Sequence, residues 1–140
     1  MQIGAIGYNY SHNKDFVMDR PNGPGAWLFL LIKTSALFTL NGRKIKVKKN
    51  SFIILSPDMP CKYHAAEDVY TDDWAYFSAD DTDREKFLRL KIPINEIVHL
   101  GSISMPAAPL FSLTALIAAA MFSSANIHSI SSTCCSSFCS

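Results

Sequence analysis

The sequence predicts a mainly β fold, a β-barrel or jelly roll followed by short α-helices. Three features predict it. Short apolar runs broken by turn residues fill positions 16 to 77, Asn41 and Gly42 form a hairpin signal among them, and the pattern turns helical from Asp80 onward. Many short strands with frequent turns indicate a sandwich or barrel rather than a layered α/β fold.

Taken in order, Trp27–Ile32 is an unbroken apolar run with aromatic and branched members. It is too short for a helix and suits a strand buried on both faces. Ala36–Leu40 follows and leads into Asn41 and Gly42. A type I′ turn needs two residues at positive φ, which Asn-Gly supplies. In the returning arm Ile45 and Val47 alternate with Lys44, Lys46 and Lys48, so one face is expected in the core and the other in water. Lys49 and Asn50 offer a second turn. The run from Phe52 to Leu55 reads as another strand, stopped by Ser56 and Pro57. Pro57 and Pro60 forbid regular pairing between them. Tyr63 and His64 begin a further strand, and the stretch from Asp72 to Phe77 is the last clear one.

Helix signals come next. Asp81 or Thr82 is an expected N-cap, acidic residues crowd the first turn, and Phe87, Leu88 and Leu90 are expected to dock the helix on the barrel. Positions 92–100 read as a short return strand and 113–122 as a second helix. The expected organisation is a barrel with an N-terminal arm over residues 1–100 and a linker or dimerisation helix region over 101–122. Residues 123–140, rich in serine and holding Cys134, Cys135 and Cys139, read as a non-native or disordered tail.

Composition narrows the function. With 140 residues, 49% hydrophobic and 18% charged, the chain supports one domain with a real core. Thirteen basic against 12 acidic residues leave a net charge of +1, too little to steer the chain to nucleic acid or anionic lipid. Arg43, Lys44, Lys46, Lys48 and Lys49 cluster on the hairpin, but no aromatic is interleaved to stack bases, so a solvated face is expected. The longest apolar stretch, 107–122, is interrupted by Pro109, Ser112 and Thr114 and falls short of the roughly 20 residues of a membrane span. No signal-peptide pattern opens the chain, and a cytoplasmic, disulfide-free protein is the expectation.

Catalytic patterns are sparse. His12, His64, His99 and His128 share no metal-ligand spacing, and no Gly-x-Ser-x-Gly or phosphate loop occurs. Neither a metal nor another cofactor is expected, nor enzymatic activity.

Asp19, Arg20, Pro21 and Gly23, followed by the strand from Trp27, resemble the entry to the ligand-binding cupin barrel of AraC-type transcription regulators. Gly42, Arg43 and Val47 resemble that family's hairpin. Positions 50–63, with Pro57 and Tyr63, are similar to its next segment, and Trp74, Ala75, Tyr76 and Phe77 to its Trp-Val-x-Phe strand. The match spans roughly residues 7 to 100. Asn50, Ser51, Ser56, Asp58 and Cys61 depart from the pattern, which leaves the identity of any effector open.

The resemblance implies a cupin-like effector domain that binds a small polar molecule, in the family's pattern a sugar, without chemistry. It implies Arg20, Tyr63 and Trp74 as ligand-binding residues. Strand alternation adds Met18 beside Arg20 and Asp72 beside Trp74. A guanidinium offers a rigid fork of donors, an indole a flat surface for the C–H face of a sugar, and a phenol a hydroxyl of either sense. Plainer readings stand beside these: Arg20 at the surface, Trp74 and Met18 as core, Tyr63 at a rim, Asp72 in a solvated turn. The resemblance also implies a homodimer in the intact regulator, with Leu113, Leu116, Ile117 and Ala120 on one helical face, and DNA contact only through a C-terminal helix-turn-helix domain that this chain lacks. A metal-dependent cupin enzyme and a stand-alone carbohydrate-binding module are the alternatives.

Overall fold

The computed structural model describes residues 1–102. Nine strands and one α-helix run in the order β1 (Gln2–Asn13), β2 (Val17–Arg20), β3 (Trp27–Ile32), β4 (Ala36–Leu40), β5 (Arg43–Val47), β6 (Ser51–Leu55), β7 (Cys61–Ala65), β8 (Val69–Ser78), α1 (Asp81–Arg89) and β9 (Val98–His99), with a 3-10 turn at Leu100–Ser102. Two antiparallel sheets form, β1-β8-β3-β6-β9 and β2-β7-β4-β5. The pairs β1–β8, β2–β7, β3–β6 and β4–β5 are those of one long hairpin rolled on itself. That is the jelly-roll arrangement, and it is fixed by strand order alone.

The alternation of β3 and β6 builds two cores from one sheet. Leu28, Leu30, Ile32, Ile53 and Leu55 face the second sheet, where Phe38, Leu40, Val47 and Tyr63 meet them. Trp27, Phe52, Ile54 and Phe77 face the other way and are covered by Phe87 of α1. This explains why β3 and β6 carry no polar alternation: both of their faces leave water. The turns behave as their residues require, with Asn41 at φ 45°, Gly42 at 79° and Asn50 at 60°.

Several expectations are corrected. The N-terminal segment is no arm but a strand, β1, at the edge of the larger sheet. Its pairing with β8 is irregular between Ile3 and Ala5 and between Gly7 and Tyr10, and these breaks blur its alternation. Ile45 is 36% exposed because β5 is an edge strand with no neighbour beyond it. Positions 92–100 are mostly loop. Asn95 sits at φ 59°, donates its N–H to the Ile54 carbonyl at 2.7 Å and accepts from the Ser56 N–H at 2.9 Å. Those bonds pin the segment where a return strand was expected.

The cap of α1 is Asp80, one residue earlier than expected. Its carboxylate accepts from the Asp83 N–H at 2.9 Å while the Asp83 side chain accepts from the Asp80 N–H at 3.4 Å, a reciprocal capping box. Only Phe87 docks; Leu88 is 78% and Leu90 42% exposed. Among the described residues no helix is long and apolar enough to cross a membrane. The expected helix at 113–122, its dimer face and the serine- and cysteine-rich tail lie outside the described residues.

Candidate functional site

The inner wall of β8 carries Tyr70, Asp72, Trp74 and Tyr76 at every second position. Tyr70 belongs to the core between the sheets, and Trp74 and Tyr76 pack against it. Asp72 is buried and accepts from the Tyr70 hydroxyl at 2.7 Å. Across the barrel β7 presents Cys61, Tyr63 and Ala65 inward. β2 pairs with β7 so that Met18 lies opposite Tyr63 and Arg20 opposite Cys61. The sequence-derived residues thus come from three strands onto one interior.

Their individual settings divide the plainer readings: Met18 and Trp74 pack against the core, whereas Tyr63 and Asp72 depart from the rim and the solvated turn. Tyr63 is deep rather than at a rim, 3% exposed and stacked on Phe38 with ring centroids 4.7 Å apart. Asp72 lies mid-strand and not in a turn. Its neighbour Asp73 faces out and pairs with Lys33 at 2.6 Å. Met18 packs against the core, so its filling role and an inward position coincide. Arg20 is half-buried, with its guanidinium carbon 5.6 Å from the Tyr76 ring centroid.

Trp74 is half-buried, edge-on to Tyr76 at 5.6 Å and to Tyr10 at 6.3 Å. It lies against Gly7 of β1, where a Cβ would overlap the indole. Gly7 therefore makes room for the ring.

The electrostatics follow from burial. Desolvation raises the Asp72 carboxyl to about 6; the Tyr70 hydrogen bond and Lys33 oppose this, and Asp73 adds to it. Burial pushes the Cys61 thiol up to about 11, with the Arg20 charge pulling back. Tyr63 is held far above the usual phenol range, first by burial, then by Asp72, while Arg20 acts in the opposite sense. Tyr76 is raised by burial and drawn down by the charge and hydrogen bond of Arg20. Tyr63 and Tyr76 each lie in the field of both Arg20 and Asp72.

An aromatic column closes the neighbouring part of the barrel. His12 stacks on Phe16 at 3.8 Å, and Phe16 stacks on Tyr70 at 5.5 Å, which meets Tyr63 at 5.4 Å. Burial lowers the pKa of His12. Sequence reasoning gave no part to Phe16, Tyr70 or Gly7. Extending the alternation of β8 two residues upstream would have found Tyr70, whereas Phe16 and Gly7 need the fold.

A cleft of about 580 Å³ opens elsewhere, along Ile3, Gly25, Trp27, Pro57, Tyr76 and Arg84. None of Met18, Arg20, Tyr63, Asp72 and Trp74 lines it; Tyr76 is its one link to the interior cluster. Its walls are largely apolar, and its cation, Arg84, rests 5.8 Å over the Trp27 ring. The convergent polar groups lie in the barrel, away from this cleft, and the chemistry of those groups favours the barrel. Among the described residues no group of three or more His, Cys, Asp or Glu gathers at metal-holding distance. The hairpin cations Arg43, Lys44, Lys46, Lys48 and Lys49 are exposed.

No protein-family model matches the chain, and no curated protein matches its sequence. Solved structures resemble it at low identity. The plu4264 protein of Photorhabdus luminescens is 15% identical over 58% of this chain and 68% of its own, with a TM-score of 0.43. A cupin 2 conserved barrel domain protein of Salinispora arenicola is 10% identical over 61% of this chain and 66% of its own, TM-score 0.37. The EutQ protein of Clostridium difficile is 12% identical over 54% and 53%, TM-score 0.35. The chain thus spans between about half and two-thirds of these proteins, and its jelly roll stands on its own strand order.

Proposed function

We propose that this chain is the ligand-sensing domain of an AraC-type transcription regulator, binding a small polar, sugar-like effector inside the barrel without catalysis. One observation carries the reading. A guanidinium from β2, a phenol from β7 and a carboxylate from β8 face one interior whose walls are aromatic and aliphatic. A few placed polar groups in an apolar wall are what orient and select a small molecule. Arg20 and Tyr76 supply donors, Asp72 an acceptor, and Trp74 a face for C–H groups.

In the intact regulator this domain acts in the cytoplasm as part of a homodimer, and DNA is contacted by a separate C-terminal domain. Effector binding shifts the equilibrium between two arrangements only as far as its affinities for them differ.

Calorimetric titration against a sugar panel tests this. A binding sugar should lose affinity in Arg20→Ala and in Trp74→Ala, the latter by about 1–3 kcal/mol, by analogy with bases stacked on aromatics. Hits that bind both variants unchanged would move the site elsewhere. Stoichiometric iron, manganese or zinc in the purified protein, together with turnover of a bound compound, would replace the sensor with an enzyme.

A further inference from the structure

Arg20 is left electrically unmatched. Its Nε is buried and lacks a hydrogen-bond partner, alone in this among the side-chain atoms of the described residues. Among the described residues no carboxylate pairs with its guanidinium either. Asp19, one residue before, faces the opposite side of the sheet and pairs with Lys62 at 2.7 Å. Asp72 is engaged by Tyr70. Tyr76 offers only a ring, at 5.6 Å from the guanidinium carbon, and a phenol. A cation held partly out of water is normally paired, because an unmatched charge costs more there than a neutral polar group. A neutral sugar would supply hydrogen-bond acceptors but not the missing charge.

We propose that the interior site takes a small polyhydroxylated carboxylic acid, its carboxylate on Arg20 and its hydroxyls toward Tyr63 and Asp72. This rests on the barrel being the effector site and names the effector's class. The fork of a guanidinium matches a planar carboxylate in two parallel bonds, which a hydroxyl cannot do. The orientation follows from the wall. Tyr76, which holds Arg20, and Asp72 lie four positions apart on β8, about 13 Å of strand. An anionic end near Asp72 would meet a carboxylate, whereas a hydroxyl there donates to one. The two ends of the site are therefore chemically distinct and admit the acid in one direction.

The test is calorimetry on the full chain with matched pairs: galactose against galacturonate, and glucose against gluconate. The acid of at least one pair should bind about tenfold or more tighter than its neutral partner, as expected for a charge-assisted bond. Arg20→Met should erase that preference. The same variant also reads the premise without ligand: replacing a half-buried cation that has no counter-charge by an apolar chain of similar length should leave the melting temperature unchanged or raised.

A marked fall in melting temperature for Arg20→Met would mean that the cation is already compensated, and would overturn the proposal. Neutral sugars binding as tightly as their acids would overturn the acid class while leaving the sensor reading intact. Equal stabilisation by sulfate or inorganic phosphate would reduce the site to an anion hole and refute the acid. Binding of neither series would sink both readings.

Discussion

Asp72 should make stability fall as pH rises through the weakly acidic range. Burial raises its carboxyl from 3.8 to about 6, against the Tyr70 hydrogen bond and Lys33. At about 1.4 kcal/mol for each tenfold in proton affinity, this amounts to about 3 kcal/mol. Below pH 4 the group is protonated in folded and unfolded chains alike, and its contribution is fully present. Between pH 4 and 6 the unfolded chain releases the proton while the folded chain keeps it. The contribution is lost as pH rises through about 6, where the folded protein must hold a buried carboxylate. Asp72→Asn keeps an oxygen for the Tyr70 hydroxyl and removes the titration. Urea unfolding of both proteins at pH 4, 5, 6 and 7 gives the difference in stability at each pH. The variant should gain on the wild type by about 3 kcal/mol across that range. A constant difference, or one that shrinks with pH, would show that Asp72 is solvated when folded, and the interior reading of β8 would fail with it.

Two further predictions test the frame around the site. Phe87, 4% exposed and edge-on to Trp27 at 5.7 Å, is the anchor of α1; Phe87→Ala should cost about 3–5 kcal/mol in chemical denaturation. Leu88→Ala, at a position 78% exposed, should stay within about 0.5 kcal/mol, and equal losses at the two positions would refute the docking. Gly23 and Gly25 both have positive φ, 81° and 77°, but a Cβ at Gly23 would run into the Pro57 carbonyl and Asp58, whereas one at Gly25 meets open space. Gly25→Ala should therefore cost about 1–2 kcal/mol for its left-handed backbone alone, and Gly23→Ala clearly more; thermal melts giving equal losses would remove the contact between the two loops.

Much of the fold was legible because local chemistry and global pattern agree. Asn41 and Gly42 set a hairpin whose register the strands obey, and Trp27–Ile32 read as doubly buried because α1 covers its outer face. What escaped was decided by position in a sheet rather than by residue type. Ile45 alternates like a core residue yet lies on an edge strand. Leu88 is as apolar as Phe87 but falls on the wrong side of a helix whose docked face carries Asp83 and Phe87. β1 was illegible because two irregularities in its pairing break the period that identifies a strand.

The site divides along the same line, and the division explains why Arg20 is informative. Parity along a strand is local, so Met18 with Arg20, and Asp72 with Trp74 and Tyr76, could be grouped before any coordinates. Which strands face each other is not local. The sequence held no sign that Asp72 would be engaged by Tyr70, that Asp19 would turn outward to Lys62, or that Tyr76 would be the group over which Arg20 lies. Those three facts turn an arginine from one polar lining residue into a cation without a counter-charge. Every neighbouring carboxylate in the barrel wall has been given another partner. An arrangement selected only for stability would favour an apolar side chain at position 20, since a half-buried cation with a buried, unpartnered Nε and no anion beside it weakens the fold. The arginine is best explained by what arrives from solution, and the acid or neutral character of that guest is the physical question on which the function turns.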